Sequence, residues 1–163
     1  SRIKEDDSSV PYFENGYFYY TRYETGKQYP IYCRKKENLD ANEEILIDAN
    51  KMSKGHNYFR IGGIDVSPNN KIAAYGVDTV SRRLYTIYFK NLETGEVYKD
   101  NIPYTTGSVT WTNDNSTIFY DKKDIETLRE ERVMNQKYKC LPKADYEINK
   151  EILKIIQRTK RGL

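Results

Sequence analysis

Apolar and polar residues alternate over short runs along most of this chain, the period-two pattern of half-buried β-strands. The runs lie at Tyr17 to Tyr23, Tyr29 to Arg34, Glu44 to Asp48, Tyr58 to Val66, Lys71 to Val77, Arg83 to Asn91, Val97 to Lys99, Thr106 to Thr112 and Thr117 to Asp121. Turn residues separate them: Asn15-Gly16, Thr25-Gly26, Ser67-Pro68-Asn69-Asn70 and Thr94-Gly95. Gly and Asn tolerate the positive φ of tight turns, and Pro presets the turn backbone. The pattern also repeats. Val66-Ser67-Pro68-Asn69-Asn70-Lys71-Ile72-Ala73-Ala74-Tyr75 returns in outline, 45 residues on, as Trp111-Thr112-Asn113-Asp114-Asn115-Ser116-Thr117-Ile118-Phe119-Tyr120. Tyr29 to Arg34 aligns more loosely with Tyr85 to Lys90 at an offset of 56. Several short strands per unit and a period in the forties predict the blades of a β-propeller.

The expected architecture is therefore mainly β, a partial β-propeller over residues 1–123 with blades near 10–48, 58–99 and 106–123. From Asp124 the text changes. Asp124 to Arg132 is rich in Glu, Leu and Arg and leans helical. Beyond Leu141-Pro142, Ile148, Ile152, Ile155 and Ile156 fall on one stripe of an amphipathic helix, closed by Lys160-Arg161-Gly162. Residues 124–163 are thus expected to be an atypical, helical C-terminal tail. An incomplete propeller leaves strand edges open, which predicts self-association.

Composition sharpens the picture. Charged residues make up 31% and hydrophobic ones only 37%, a balance that would suit a disordered chain were it not for 16 Tyr. Tyr favours strands and packs one face while its hydroxyl stays wet. The net charge is +3, too small to argue for a nucleic-acid partner. Residues 1–123 hold 17 basic and 17 acidic side chains, and residues 124–163 hold 10 and 7, so the excess lies in the tail. No apolar run approaches the roughly 18 residues of a membrane span. Cys33 and Cys140 form no CxxC pair, so neither a zinc site nor another metal or cofactor is expected. Both are read as free thiols of a reducing compartment, a disulfide between them being the alternative. The first residues, Ser1-Arg2-Ile3-Lys4-Glu5-Asp6-Asp7, are charged where a secretory leader is apolar, and the chain is expected to be a piece of something larger.

Several ordered stretches resemble the oligopeptidase B (protease II) branch of the prolyl oligopeptidase family. Arg2-Ile3-Lys4-Glu5-Asp6-Asp7-Ser8-Ser9-Val10-Pro11 resembles that family's entry into its propeller. Tyr19-Tyr20-Thr21-Arg22 with Gly26-Lys27-Gln28-Tyr29-Pro30-Ile31-Tyr32-Cys33-Arg34 is similar to a first blade. Val66-Ser67-Pro68-Asn69, Ala74-Tyr75-Gly76-Val77-Asp78 and Leu92-Glu93-Thr94-Gly95 are similar to a second, and Trp111-Thr112-Asn113-Asp114 opens a third. The resemblance implies a seven-bladed propeller capping an α/β-hydrolase domain, a serine peptidase that cleaves short peptides after Lys or Arg, with the propeller restricting access. The G-x-S-x-G elbow that would expose a serine nucleophile is absent; Gly107-Ser108 lacks the second Gly. The chain alone is expected to be non-catalytic, its partner the catalytic domain of the parent and its compartment the cytoplasm, with the periplasm as alternative.

Candidate chemistry is sparse. His56, the single histidine, would need a nucleophile and an orienting acid within reach to act as a base. Lys54-Gly55-His56-Asn57 reads instead as a polar loop. Glu5-Asp6-Asp7 would attract a cation or a basic peptide, but such a run is usually solvated. Arg82-Arg83 reads as an exposed hairpin pair, with a partner domain or a peptide carboxylate as the functional alternative. Tyr17-Phe18-Tyr19-Tyr20 would make a stacking platform for single-stranded nucleic acid, yet no net basic charge lies nearby and it reads as sheet packing. Trp111 reads as core. No catalytic residue is assigned. The rival to a peptidase propeller fragment is a free-standing β-sheet interaction module.

Overall fold

The computed structural model describes residues 7–123 and 130–137. They form two antiparallel sheets, and the chain divides into two compact units, one built on Ser1–Ile61 with Thr79–Ser81 and the other on Gly62–Asp78 with Arg82–Leu163.

The first sheet is a four-stranded meander of β1 (Tyr12–Glu14), β2 (Tyr17–Arg22), β3 (Ile31–Lys36) and β4 (Glu43–Asp48), in that spatial order. Asn15 and Gly16 take positive φ between β1 and β2, as the Asn-Gly signal predicts. Ahead of β1, Ser9 donates its N–H to Thr21 O and Tyr23 donates to Asp7 O, so the incoming chain also runs along β2. β3 starts later than the alternation predicts because Asn50 clamps the backbone of Tyr29: Tyr29 N–H donates to Asn50 Oδ1 at 2.9 Å and Asn50 Nδ2 donates to Tyr29 O at 2.7 Å. A four-residue helix, α1 (Ala49–Met52), follows β4. It is set by Asp48, whose carboxylate accepts from the N–H groups of Asn50 and Lys51.

The second sheet has six strands in the order β10 (Glu130–Lys137), β9 (Thr117–Lys123), β8 (Val97–Trp111), β7 (Tyr85–Asn91), β6 (Ile72–Asp78) and β5 (Arg60–Val66). Alternate residues of its strands build one core: Ile72 and Ala74, Ile87 and Phe89, Ile102, Trp111, Ile118 and Tyr120. Each large side chain so buried contributes roughly 1.5–3 kcal/mol.

One reading from the sequence is refined and one corrected here. Val97 to Lys99 and Thr106 to Thr112 fall in one unbroken stretch of extended chain, β8. The chain reverses direction within it, near the positive φ of Tyr104 and Gly107, and the register shifts between Thr105 and Val109. Its first half pairs antiparallel with β7 (Tyr85↔Thr105, Lys90↔Val97), and its second half pairs with β9 (Val109↔Tyr120, Trp111↔Ile118). Second, Glu130 to Arg132, where the sequence leans helical, start the strand β10, in register with Lys123, Lys122 and Asp121 of β9. The edge of β9 offers a row of backbone donors and acceptors, and pairing with it outweighs a weak local helix preference. The sheet plan thus runs past Lys123. The apolar stripe Ile148 to Ile156 and Cys140 lie outside the described residues.

Candidate functional site

In the four-stranded sheet the alternation of β2 sorts its aromatic run onto two faces. On one, Tyr12 stacks on Tyr19 with ring centroids 5.5 Å apart, and the Arg34 guanidinium lies 4.0 Å over the Tyr17 ring. Arg34 is buried and its Nε donates to Glu44 at 2.7 Å. On the other face Glu43 collects donors. Arg22 reaches it through Nε at 3.1 Å and Nη2 at 2.9 Å, and the Tyr20 hydroxyl donates to it at 2.5 Å. Arg22 Nη1 donates to Glu24 at 2.7 Å. The Arg22 bonds hold the Glu43 carboxyl below its usual range, despite some burial. Beside it Cys33 is a free, buried thiol, pushed up to about 12 chiefly by burial and secondarily by the Glu43 charge. A protonated buried thiol is a poor nucleophile, and these interactions read as sheet cohesion.

In the six-stranded sheet the sharpest geometry lies where β5 runs beside the second half of β8. Equivalent positions of the two repeats meet there. A Cβ on Gly62 or Gly63 would come within 3.1–3.2 Å of Gly107 O, and Trp111 Nε1 donates to Asp65 O at 3.2 Å. The approach depends on missing side chains. A Cβ on Gly76 would sit 2.5 Å from Gly107 backbone, and one on Gly107, at φ +88°, would sit 2.5 Å from the Tyr85 ring. At one end of this sheet the two tight turns at Ser67 to Asn70 and Thr112 to Asn115 have the same internal bonds. Ser67 N–H donates to Ile72 O and Thr112 N–H to Thr117 O; Asn70 N–H donates to Ser67 O and Asn115 N–H to Thr112 O. The hydroxyls match too, Ser67 Oγ bonding Asn69 Oδ1 and Thr112 Oγ1 donating to Asp114 Oδ1. The Thr112 hydroxyl and the Ser116 N–H hold the Asp114 carboxyl well below its ordinary range.

At the opposite end lies a basic corner. Tyr85, Thr105 and Lys122 share a ladder row there, and Lys122 and Lys123 are in register with Glu131 and Glu130 of β10. Arg82, Arg83 and Tyr104 lie beside it in the chain. Arg82 and Arg83 are exposed and make no ion pair with residues 7–123. Arg83 takes φ 55° while its N–H donates to the buried Asp78 carboxylate at 2.9 Å. Lys123 Nζ donates to Arg83 O at 2.9 Å.

The remaining sequence candidates fall apart spatially or into packing. His56 is exposed just after α1, its ring 6.0 Å from that of Phe59. Asp7 is exposed and its carbonyl accepts the N–H of Tyr23; Glu5 and Asp6 lie outside the described residues. Trp111 is core, packed edge-on against Phe89. Among the described residues no group of His, Cys, Asp and Glu is arranged to hold a metal ion. Sequence reasoning missed the Arg34 and Glu43 clusters, whose only signal was charge alternating on facing strands, and the Gly62, Gly76 and Gly107 approach.

Known proteins fit this geometry. The family profile described as the prolyl oligopeptidase N-terminal β-propeller domain matches residues 1–143. Dipeptidyl aminopeptidase BI of Pseudoxanthomonas mexicana is 42% identical over 148 residues, 82% of this chain and 20% of that protein. Protease 2 of Moraxella lacunata is 33% identical over 130 residues, 76% of this chain and 19% of that protein. Among solved structures, oligopeptidase B from Leishmania major superposes with a TM-score of 0.77 at 35% identity, over 85% of this chain and 20% of that one. The chain therefore spans about a fifth of these relatives, and it belongs to the prolyl oligopeptidase family, as part of its N-terminal β-propeller domain.

Proposed function

We propose that this chain supplies the opening blades of the propeller of an oligopeptidase B-like serine peptidase, and that it is not catalytic by itself. The whole protein hydrolyses short peptides after Lys or Arg, and its propeller limits access to the catalytic serine. The observation that carries this reading is the joint match to Protease 2 in sequence and to an oligopeptidase B in structure. A second reading, release of dipeptides from peptide N-termini, is favoured by the name of the relative at 42% identity. The test uses two proteins. The purified 163-residue chain should neither cleave Lys- or Arg-chromogenic peptides nor take up a serine-reactive probe; turnover by it would sink the non-catalytic assignment. The product of the complete gene should cleave after Lys or Arg internally; exclusive dipeptide release would select the second reading.

The same reading suggests the contact with the catalytic domain at the basic corner, because Arg82 and Arg83 present two guanidinium groups on a pinned hairpin end and lack acidic partners among residues 7–123. An acidic surface of the catalytic domain would satisfy them. Reversing both charges (R82E/R83E) in the complete protein should lower kcat/KM severalfold, increasingly at low salt. An unchanged kcat/KM would remove the corner from the interface. We also place the protein in the cytoplasm, a reading supported by the free thiol of Cys33; recovery of the native protein in a periplasmic fraction would overturn that.

A further inference from the structure

The two matching turns do more than repeat. Asn115 is half-buried, with φ 59°. Its side chain leaves its own turn: Oδ1 accepts the N–H of Asn69, in the other turn, at 2.6 Å, while Nδ2 donates to Asn113 O at 3.4 Å. The two bonds fix which end of the amide faces the neighbouring repeat. Within its own turn Asn69 is held by its side chain, whose carboxamide oxygen accepts from the Ser67 hydroxyl and the Lys71 N–H, while its backbone N–H points to Asn115. Leu92 N–H donates to Lys71 O, and Lys71 Nζ lies 3.3 Å from Glu93, which ties a third turn to the same end.

We propose that the Asn115 side chain is a clip that fixes the spacing of adjacent repeats at this rim, and that the Asp114 N–H is the docking point for the clip of the following repeat. Asp114 occupies the position of Asn69 at the offset of 45 residues. Its carboxylate is engaged by Thr112, Ser116 and Thr117, but its N–H has no acceptor among the described residues. Phe119, on the face of β9 opposite the core residues Ile118 and Tyr120, is exposed next to this turn. The occupant the geometry fits is the turn of one more repeat, carrying an Asn or Asp in the place of Asn115. This second half rests on the propeller reading given above; the clip itself does not.

Amide exchange resolved by residue tests both halves. In the 163-residue chain, Asn69 N–H should exchange at least severalfold more slowly than its intrinsic rate. Asn115→Ala should speed Asn69 roughly fivefold to tenfold, the worth of one hydrogen bond. Asn115→Asp, which keeps an acceptor oxygen, should leave Asn69 slow. An unprotected Asn69 in the unsubstituted 163-residue chain, or a slow Asn69 in Asn115→Ala, would overturn the clip. In the complete protein Asp114 N–H should become as protected as Asn69; if it stays fast while Asn69 is slow, the docking half fails and the clip stands. Neither readout depends on peptidase activity, so a failed activity assay and a failed clip remain distinguishable.

Discussion

Across the strands of the four-stranded unit, the side chains that meet are mostly charged or aromatic: Arg22 with Glu43, Arg34 with Glu44 and Tyr17, Tyr12 with Tyr19. Its buried hydrophobic residues are Tyr19 on β2, Ile31 and Cys33 on β3, Leu46 and Ile47 on β4, Ala49 of α1, and Phe59. The six-stranded unit instead sets Ile72, Ile87, Phe89, Ile118 and their neighbours on one face and lets backbones touch at Gly76 and Gly107. The difference teaches what carries stability in each. In the second unit it resides mainly in apolar area and steric fit, which depend little on salt. In the first it depends more on ion pairs and hydrogen bonds, which are individually modest and depend on pH. Two probes can follow the units separately: Trp111, the single tryptophan, and the buried thiol of Cys33, read in a Cys140→Ser background.

The largest effect should come from Phe89→Ala, which opens a cavity beside Trp111 and should lower the stability reported by Trp111 fluorescence in urea by about 4 kcal/mol. In the other unit Phe13→Ala removes a ring that is 58% exposed and should cost about 0.5 kcal/mol by the Cys33 probe. Equal losses would mean that the aromatic edge of the four-stranded unit carries as much packing as the apolar core of the other.

Gly107→Ala should follow at about 3 kcal/mol, from the left-handed backbone and the Tyr85 ring together. Gly26→Ala shares a positive φ but meets nothing within 4 Å, and should cost about 1 kcal/mol. A Gly107 variant as mild as Gly26→Ala would mean that the ring gives way and that close approach is not what joins the repeats.

How much of this was legible beforehand follows from the same contrast. Alternation and turn chemistry revealed most of the strands of both units, because period-two burial is written residue by residue. The repeat of Val66 to Tyr75 at Trp111 to Tyr120 even marked the pair of turns that Asn115 joins. Contacts between residues far apart in the chain were not legible. Nothing local distinguishes Gly76, which a neighbouring backbone touches, from any strand glycine. The helical lean of Glu130 to Arg132 was overridden by an edge supplied by another strand. The short β1 and α1 owe their form to pairing with β2 and to the Asp48 cap rather than to any pattern of their own.

Arg34→Ala should cost about 2 kcal/mol in the four-stranded unit, since Glu44 is exposed enough to be rehydrated and the loss is mainly the packing of the buried guanidinium against Tyr17. Arg34→Met, which keeps the stem, should recover about half of it, as judged by Cys33 labelling. If Met is as harmful as Ala, the charge rather than the packing matters there.

The smallest effect is the most discriminating, because it separates the units by acid. The carboxyl of Glu43 is lowered by its bonds from Arg22, so its contribution is complete above the ordinary carboxyl range near 4.5 and is lost as pH falls through the depressed value. With Glu43 about a quarter exposed, roughly 1 kcal/mol is at stake. Asp114 is lowered as well, by the Thr112 hydroxyl first, and gives the six-stranded unit an acid limb of the same sign. Glu43→Gln should therefore flatten the rise in opening below about pH 4.5 when Cys33 is followed with a thiol reagent active in acid, and leave the Trp111 transition unchanged. Asp114→Asn should do the reverse. If either substitution moves both probes, the units unfold as one and the comparison between them has no thermodynamic content; if each moves only its own, polar and apolar cohesion are separable within a single chain.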